Sequence, residues 1–421
     1  NYAIKDATEP GSTFKIFTLS AALDSGTVDL NSTFNCPGFK MVGSERIKCW
    51  KVSHGHQTLE EAVRNSCNPA FMTMALGMGK SVFYDYIYKF GFGSSTESGL
   101  IGESAGIVIH EKYIRDNNVA RIGFGQSIAI TPIQLAVGAC AAINGGELLQ
   151  PYIIKQVIGA NGEIIKENHR RVIRRAVSEE TSATVRALLE SVVEKGSGRN
   201  AQIPGYRVGG KTGTAQKYVD GKPSSGSLIA SFIGFAPADD PKYLCFILVD
   251  EPKVGVIFGS TVAAPFVKDV LHETLMHYGV RPAVEAKSVI VPDVIGKTAR
   301  AAGRILADAG LVGDFSEGEG EAAVVAQVPI AGVSVVQGSG VLLYTEKTSA
   351  DDVQLEDSTF TVPDLIGKTR LEAYDALTAA GLVLRIEPEE QSGIAVRQKP
   401  SAGEKLFFGQ SVTVEFSKVR E

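Results

Sequence analysis

No apolar run in these 421 residues is long enough to span a bilayer, and the start of the chain lacks the pattern of a signal peptide. A strong charge of either sign is also missing. Lys and Arg number 42 against 47 Asp and Glu, a formal net charge of −5. So even a balance leaves no electrostatic footprint for nucleic acid, which is excluded as an expected partner. Composition excludes disorder, because 44% of the residues are apolar and 21% charged. Cysteine is scarce, at five residues, and the odd number means that intrachain disulfides cannot pair them all.

What is present is length. A chain of 421 residues exceeds one ordinary core, so two or more domains are expected. Charge divides unevenly between them: residues 281–421 hold 14 basic and 21 acidic side chains, a net of −7, which leaves +2 on residues 1–280. The acidic part contains a duplication. Val291-Pro292-Asp293-Val294-Ile295-Gly296-Lys297-Thr298 recurs 71 residues later as Val362-Pro363-Asp364-Leu365-Ile366-Gly367-Lys368-Thr369. The same offset relates Ala309-Gly310-Leu311-Val312 to Ala380-Gly381-Leu382-Val383, and Gln327, Pro329, Gly332 and Gly338 to Gln398, Pro400, Gly403 and Gly409. Several anchors at one constant offset define an internal repeat. Each copy reads as an extended start, an amphipathic helix closed by Gly, and two alternating strands. In the second copy Leu371, Tyr374, Ala376 and Leu377 give the helical stripe, and Val412, Val414 and Phe416 the last strand. The copies are assigned to 288–347 and 359–419, joined by a polar, acid-rich linker over 348–358. This unit resembles the PASTA module of bacterial cell-wall proteins.

Residues 1–280 read as an α+β domain. Thr13–Ala22 and Leu59–Met78 have helical patterns, and Tyr206–Gln216, Leu228–Ala236 and Tyr243–Asp250 read as neighbouring strands. A last helix runs from Ala264, with Pro265 in its first turn, to about Tyr278. Three strands are few for a sheet packed on such a helix, and the chain opens only eleven residues before its candidate nucleophile. The sequence is therefore read as a fragment, with further strands and any membrane anchor upstream.

Three short strings carry chemistry: Ser12-Thr13-Phe14-Lys15, Ser66-Cys67-Asn68 and Lys211-Thr212-Gly213-Thr214. Glu9-Pro10-Gly11 turns the chain into a helix whose N-terminus holds Ser12, where free N–H groups favour developing negative charge. Lys15, at i+3, shares its face. A serine hydroxyl needs a base to become a nucleophile, and a lysine serves once burial or a neighbouring cation lowers its pKa. Lys211 is the candidate for that cation. Ser66 offers a second hydroxyl to relay a proton, and the Asn68 amide can both donate to and accept from a peptide. Gly209, Gly210 and Gly213 would let a substrate backbone approach the strand, and Lys211, Thr212 and Thr214 suit a substrate carboxylate. The backbone N–H groups of Ser12 and Thr214 are the expected oxyanion hole. Each string alone is an ordinary surface; their order and context point to serine acyl transfer.

With these motifs the chain resembles a class B, monofunctional penicillin-binding protein over Asn1 to about Tyr278. The resemblance extends through Gly196-Ser197-Gly198, Gly205-Tyr206, Lys211-Thr212-Gly213-Thr214-Ala215-Gln216, and Gly123-Phe124-Gly125-Gln126 leading to Thr131-Pro132, the last of these as scaffold. It implies a serine β-lactamase/transpeptidase-like domain, an antiparallel sheet packed against helices, followed by two α+β PASTA modules. It further implies a membrane-anchored, extracytoplasmic D-Ala-D-Ala transpeptidase without a required cofactor. Such an enzyme acts on peptidoglycan stem peptides, works in a cell-wall synthesis complex and is acylated by β-lactams. The alternatives are a D,D-carboxypeptidase, a serine β-lactamase, or a non-catalytic wall-binding protein. No Glu-x-x-Leu-Asn string of the kind that deacylates a β-lactamase is found between the second and third motifs. The PASTA pair is left with three roles: binding muropeptide, contacting the catalytic domain or spacing it.

Cysteine is the unresolved feature. Cys140 and Cys245 lie in apolar runs and are expected to be buried. Cys36, Cys49, His54, His56 and Cys67 fall within 32 residues and end inside the second motif. A structural or regulatory zinc held by a subset of these five, a disulfide such as Cys49–Cys67 or Cys36–Cys49, and unpaired thiols all remain open. The other histidines, His110, His169, His272 and His277, show no partner pattern. A Cys-rich insert before the second motif resembles sporulation-specific members of the class B family; a division role is the alternative.

Overall fold

A computed structural model describes residues 1–219, 222–253, 257–282, 288–315, 320–345, 359–380, 382–386, 393–407 and 411–417. The expected linker over 348–358 lies outside the described residues. The elements that frame the site are labelled in chain order. Helix α1 (Lys15–Asp24) follows a 3-10 turn over Gly11–Phe14 and is buried along most of its length. Phe14 of the turn and Phe17 of the helix pack against Phe90 and Phe92, with ring centroids 4.7 to 5.4 Å apart, at the centre of the larger core.

The stretch Leu59–Met78, expected as one helix, is two: α2 (Leu59–Arg64) and α3 (Asn68–Met78). Thr58 and Glu61 form a capping box at the start of α2, and Pro69 sits in the first turn of α3. Between the helices Ser66 adopts a left-handed conformation, φ 50°, which a helix cannot continue through. Apolar periodicity persists on both sides of the break, which hides it in the sequence. Functionally, the break turns Ser66 and the start of α3 toward α1.

Helix α4 (Glu179–Lys195) leads to the sheet, which comprises β1 (Gly209–Val219), β2 (Lys222–Ala236) and β3 (Tyr243–Asp250). The order is β3-β2-β1, antiparallel throughout, with Lys211 opposite Ile233 and Thr214 opposite Ala230. Helix α5 (Ala264–His277) begins at its expected residue, with Pro265 in the first turn. Val267, Leu271 and Leu275, spaced four apart, bury one stripe against Phe232 and Ala236 of β2 in a second core. Helices and antiparallel strands thus form the expected α+β layers.

Both repeats contain the expected helix, Ala299–Asp308 and Arg370–Ala379. After the helix each copy has four short strands among the described residues, two more than expected, in a two-stranded and a three-stranded sheet. In the first copy Gly340–Thr345 runs parallel to Val312–Asp314 and antiparallel to Val324–Val328, and in the second Ser411–Ser417 takes the same central place. The strand at Val312–Asp314 is three residues long, too short for alternation to reveal it. The shared Gln has a structural explanation. Gln327 accepts from Val294 N–H and donates to the Pro292 and Pro329 carbonyls; Gln398 does the same with Leu365, Pro363 and Pro400. Each amide, buried in the first copy and part-buried in the second, thereby satisfies three backbone groups. The first repeat also touches the catalytic domain: Asn200 accepts from Ile330 N–H, Ser339 donates to Gln202, and Arg199 pairs with Asp314.

Candidate active site

Gly11 fixes the approach of the first motif to the third. Its φ is +54°, and a Cβ there would stand 2.7 Å from the Thr214 carbonyl oxygen. Its N–H donates to Gly125 O, so the stretch around Gly125 supports the turn from behind. One residue on, Ser12 is partly exposed in the 3-10 turn at the head of α1 and lines an open cleft between the motifs.

Lys15 is 1% exposed and points across to the second motif. Its ammonium donates to the Ser66 carbonyl at 2.6 Å, to Ser66 Oγ at 3.0 Å and to Asn68 Oδ1 at 2.6 Å. These bonds hold Ser66 in its left-handed conformation. Lys211, also 1% exposed, reaches Ser66 Oγ from the strand side at 2.9 Å, and contacts the Thr212 carbonyl at 3.2 Å and hydroxyl at 3.3 Å. Ser66 Oγ is thus the shared partner of two buried lysines.

Burial dominates both lysine pKa values. It pushes Lys15 down to about 8, partly offset by coulombic attraction to the cluster of Cys49, Cys67 and Cys36 behind it. Lys211 lies well below its ordinary value, through burial first and the facing Lys15 ammonium second. Burial, rather than the expected Lys211 cation, is the first cause of the low Lys15 pKa. At Lys211 the repulsion of the facing Lys15 adds to burial, and both lysines meet at Ser66 Oγ. Two buried lysines with lowered pKa values beside one hydroxyl are suited to relaying a proton.

On β1, Thr212 and Thr214 are two apart, share a face and line the cleft. Gly213 lies behind it: a Cβ there would meet Ser231 Oγ at 2.4 Å and Thr13 Cγ2 at 2.9 Å. The same holds for Gly209 and Gly210, whose added Cβ atoms would strike Phe235 and Phe232. These glycines let β1 pack closely on its own neighbours, which corrects the expectation that they open space for substrate. The cleft also takes in Lys48, Trp50, Phe258 and Tyr344, which were not singled out in the sequence, and Phe124 and Gln126, which were read there as scaffold.

Three cysteines meet behind the second motif. Ligand atoms of Cys36, Cys49, His54 and Cys67 all lie within 4.8 Å of one another, with Cys49 Sγ 3.6 Å from His54 Nδ1. Zinc holds sulfur at about 2.3 Å, so tetrahedral ligands stand roughly 3.8 Å apart, and this Cys3His set fits that ion by donor chemistry and by spacing. His56 does not join it. It lies on the short strand Gly55–Thr58, where alternation buries Gln57 and turns His56 to solvent. All five cysteines are thiols in the structure. Hydrogen bonds from Cys49 and Cys67 pull Cys36 far below the ordinary thiol range, while burial pushes Cys49 up to about 11 and the bonds to Cys36 and Cys49 raise Cys67. The three thiols are thus tightly coupled, and the thiolate form is favoured first at Cys36. Cys140 and Cys245 are half-buried, less than expected, and burial raises each to about 11.

Comparison with known proteins follows this geometry. Residues 1–272 match the penicillin binding protein transpeptidase domain, and residues 289–347 and 360–418 each match the PASTA domain. Among curated proteins, the chain is 41% identical over 368 residues to Stage V sporulation protein D of Bacillus subtilis, covering 83% of this chain and 56% of that one. It is 32% identical over 285 residues to the probable peptidoglycan D,D-transpeptidase PenA of Neisseria meningitidis, covering 67% and 46%. The chain thus spans about half the length of these relatives. Penicillin-binding protein 3 of Mycobacterium tuberculosis, solved with aztreonam, superposes with a TM-score of 0.62 at 30% identity over 68% of this chain and 66% of that chain. The transpeptidase domain of penicillin-binding protein 3 from Burkholderia pseudomallei gives a TM-score of 0.61 at 30% identity, over 68% and 83%.

Proposed function

This chain belongs to the penicillin-binding protein transpeptidase family, and we propose that its cleft carries out serine acyl transfer on the D-Ala-D-Ala end of peptidoglycan stem peptides. The observation that carries the reading is convergence. Three segments distant in sequence bring Ser12, Ser66, Asn68, Thr212 and Thr214 to one cleft, with Lys15 and Lys211 bonded behind it.

In this reading Ser12 Oγ attacks the carbonyl of the penultimate D-Ala and its proton passes to the amine of Lys15. The Ser12 and Thr214 N–H groups hold the oxyanion of the tetrahedral intermediate. Collapse breaks the peptide bond, and the leaving D-Ala nitrogen takes a proton through Ser66 Oγ, which both lysines contact. Thr212 and Thr214 hold the terminal carboxylate, and Asn68 the peptide backbone. An amine from a neighbouring stem peptide then attacks the Ser12 ester, forms the cross-link and returns the proton to Ser12. β-Lactams present a strained amide to the same serine. The likeness to named peptidoglycan transpeptidases further supports an extracytoplasmic, membrane-associated enzyme working within a cell-wall synthesis complex. The 41% identity to a sporulation protein favours a role in spore formation.

A zinc ion held by Cys36, Cys49, His54 and Cys67 belongs to the same proposal, supported by the converging donor set. Bound there it would supply a structural cross-link rather than a chemical step, pinning Cys67 and with it the flanking Ser66 and Asn68.

The reaction is tested by supplying a D-Ala-D-Ala pentapeptide together with an acceptor amine and analysing products by mass. Cross-linked product is expected to accompany release of D-Ala. Hydrolysed peptide alone would indicate a carboxypeptidase, and nitrocefin turnover far above one equivalent would indicate a β-lactamase.

A further inference from the structure

The internal repeat permits a comparison within one molecule, because every residue of the first copy has a counterpart 71 positions later. At most positions the copies keep the same character, but one face differs. Ala326, Val328 and Tyr344 of the first copy are buried, at 4%, 0% and 5% exposure, and pack with Trp50 and Phe258 of the catalytic domain. Their counterparts are Arg397, Lys399 and Glu415, of which Arg397 and Lys399 are exposed. The cross-strand pair Ala326–Tyr344 becomes Arg397–Glu415 at the same register. Asp314, which pairs with Arg199, is replaced by Arg385, and Ser334, whose carbonyl accepts from Lys268, by Lys405. One copy thus has an apolar docking face of matching charge, and the other a charged face of similar fold.

The docking face reaches the reaction cleft. Tyr344 stacks on Phe258, with ring centroids 5.1 Å apart and planes 19° from parallel, and lies 6.5 Å from the Trp50 ring. It lines the same cleft as Ser12, Ser66 and Thr214. Trp50 belongs to the other wall, where its indole N–H donates to the Asn65 carbonyl at 2.9 Å, one residue before Ser66. Phe258 precedes Gly259, whose N–H donates to Thr214 Oγ1 at 3.4 Å. Tyr344 therefore bridges the wall that carries the second motif and the wall that carries the third.

We infer that the first PASTA repeat completes the substrate cleft, with Tyr344 as a binding residue for the apolar face of an extended peptide or β-lactam acyl group, supplied from outside the catalytic domain. The second copy, charged at the equivalent positions, takes no such part. The role of Tyr344 rests on the acyl-transfer reading of the cleft; the docking itself does not.

The 421-residue chain has one tryptophan, Trp50, so its emission reports the contact directly. Emission and benzylpenicillin acylation are to be measured on the whole chain and on Tyr344→Ala, Asp314→Arg and Glu415→Ala. Tyr344→Ala is expected to shift Trp50 emission to the red and to raise the apparent dissociation constant for benzylpenicillin roughly tenfold, with the acylation rate constant within about twofold. Asp314→Arg sets two cations face to face without touching the cleft, and should do both through undocking. Glu415→Ala should do neither. A red shift with unchanged acylation constants would overturn the role of Tyr344 in the cleft. No shift in either interface variant would overturn the docking. A wild-type chain that takes no label would overturn the acyl-transfer reading itself, and with it the role of Tyr344, while the emission data would still judge the docking.

Discussion

Lys15→Met is expected to slow acylation of Ser12 by roughly a thousandfold, the scale of losing a positioned general base. Methionine matches the length of the lysine stem and carries no charge, so a side chain that is 1% exposed is replaced without burying a new polar group. The effect has a pH signature. With Lys15 at about 8, the reactive amine is a minor species at pH 6. Raising the pH removes the ammonium proton, so the wild-type rate should climb about tenfold per unit below pH 8 and level off above it. In Lys15→Met the climb should vanish. Lys15→Arg should be as slow as Lys15→Met although it keeps the positive charge, because a guanidinium does not deprotonate in this range. A stopped-flow acylation profile between pH 6 and 9 checks all three. If Lys15→Met kept the wild-type profile, the base would lie elsewhere, with Lys211 the remaining amine at Ser66 Oγ.

The second large effect concerns the cysteine cluster. Elemental analysis of the purified chain should find about one zinc per molecule, lost in each of Cys36→Ser, Cys49→Ser and Cys67→Ser and retained in His56→Ala. Loss of the ion should lower Tm by roughly 5–10 °C, the scale of two to three kcal/mol in a domain of this size. Acylation should slow by about tenfold or more, because Cys67 lies between Ser66 and Asn68 and its anchoring sets the left-handed turn that Lys15 grips. Chelation of the wild-type chain should reproduce both losses. A metal-free chain with two thiols missing on titration would replace zinc by a disulfide. Equal acylation rates with and without chelator, and with and without reductant, would break the link between cluster and site.

The catalytic strings were legible because their chemistry is local: a hydroxyl and an amine three apart at a helix start need no tertiary knowledge. What could not be read is how the strings face one another. Ser66 as the shared partner of Lys15 and Lys211 depends on a break within Leu59–Met78. The sequence signals it only weakly, through Asn68-Pro69. The inclusion of His56 among the candidate ligands had a correctable cause. Two histidines at i and i+2 share a face on a strand, but His54 lies in the turn before Gly55–Thr58 and His56 within that strand. Reading this short strand would have separated them.

The glycines of β1 show a different limit. Their need is real, but it arises from Phe232, Phe235 and Ser231 on the paired strand β2, which the sequence does not reveal until register is known. Tyr344 was the least legible, since its importance appears only once one domain is set upon another. Even so, the repeat carried a trace of it, in the exchange of Ala326, Val328 and Tyr344 for Arg397, Lys399 and Glu415.

The account stands or falls on Ser12 as an acyl acceptor. The direct measurement is the intact mass of the chain after incubation with benzylpenicillin, followed by peptide mapping, on the wild type and on Ser12→Ala. A single adduct of one whole β-lactam on the peptide containing Ser12, absent from Ser12→Ala, is the predicted result. No adduct on a folded wild-type chain, or an adduct that persists in Ser12→Ala, would contradict it.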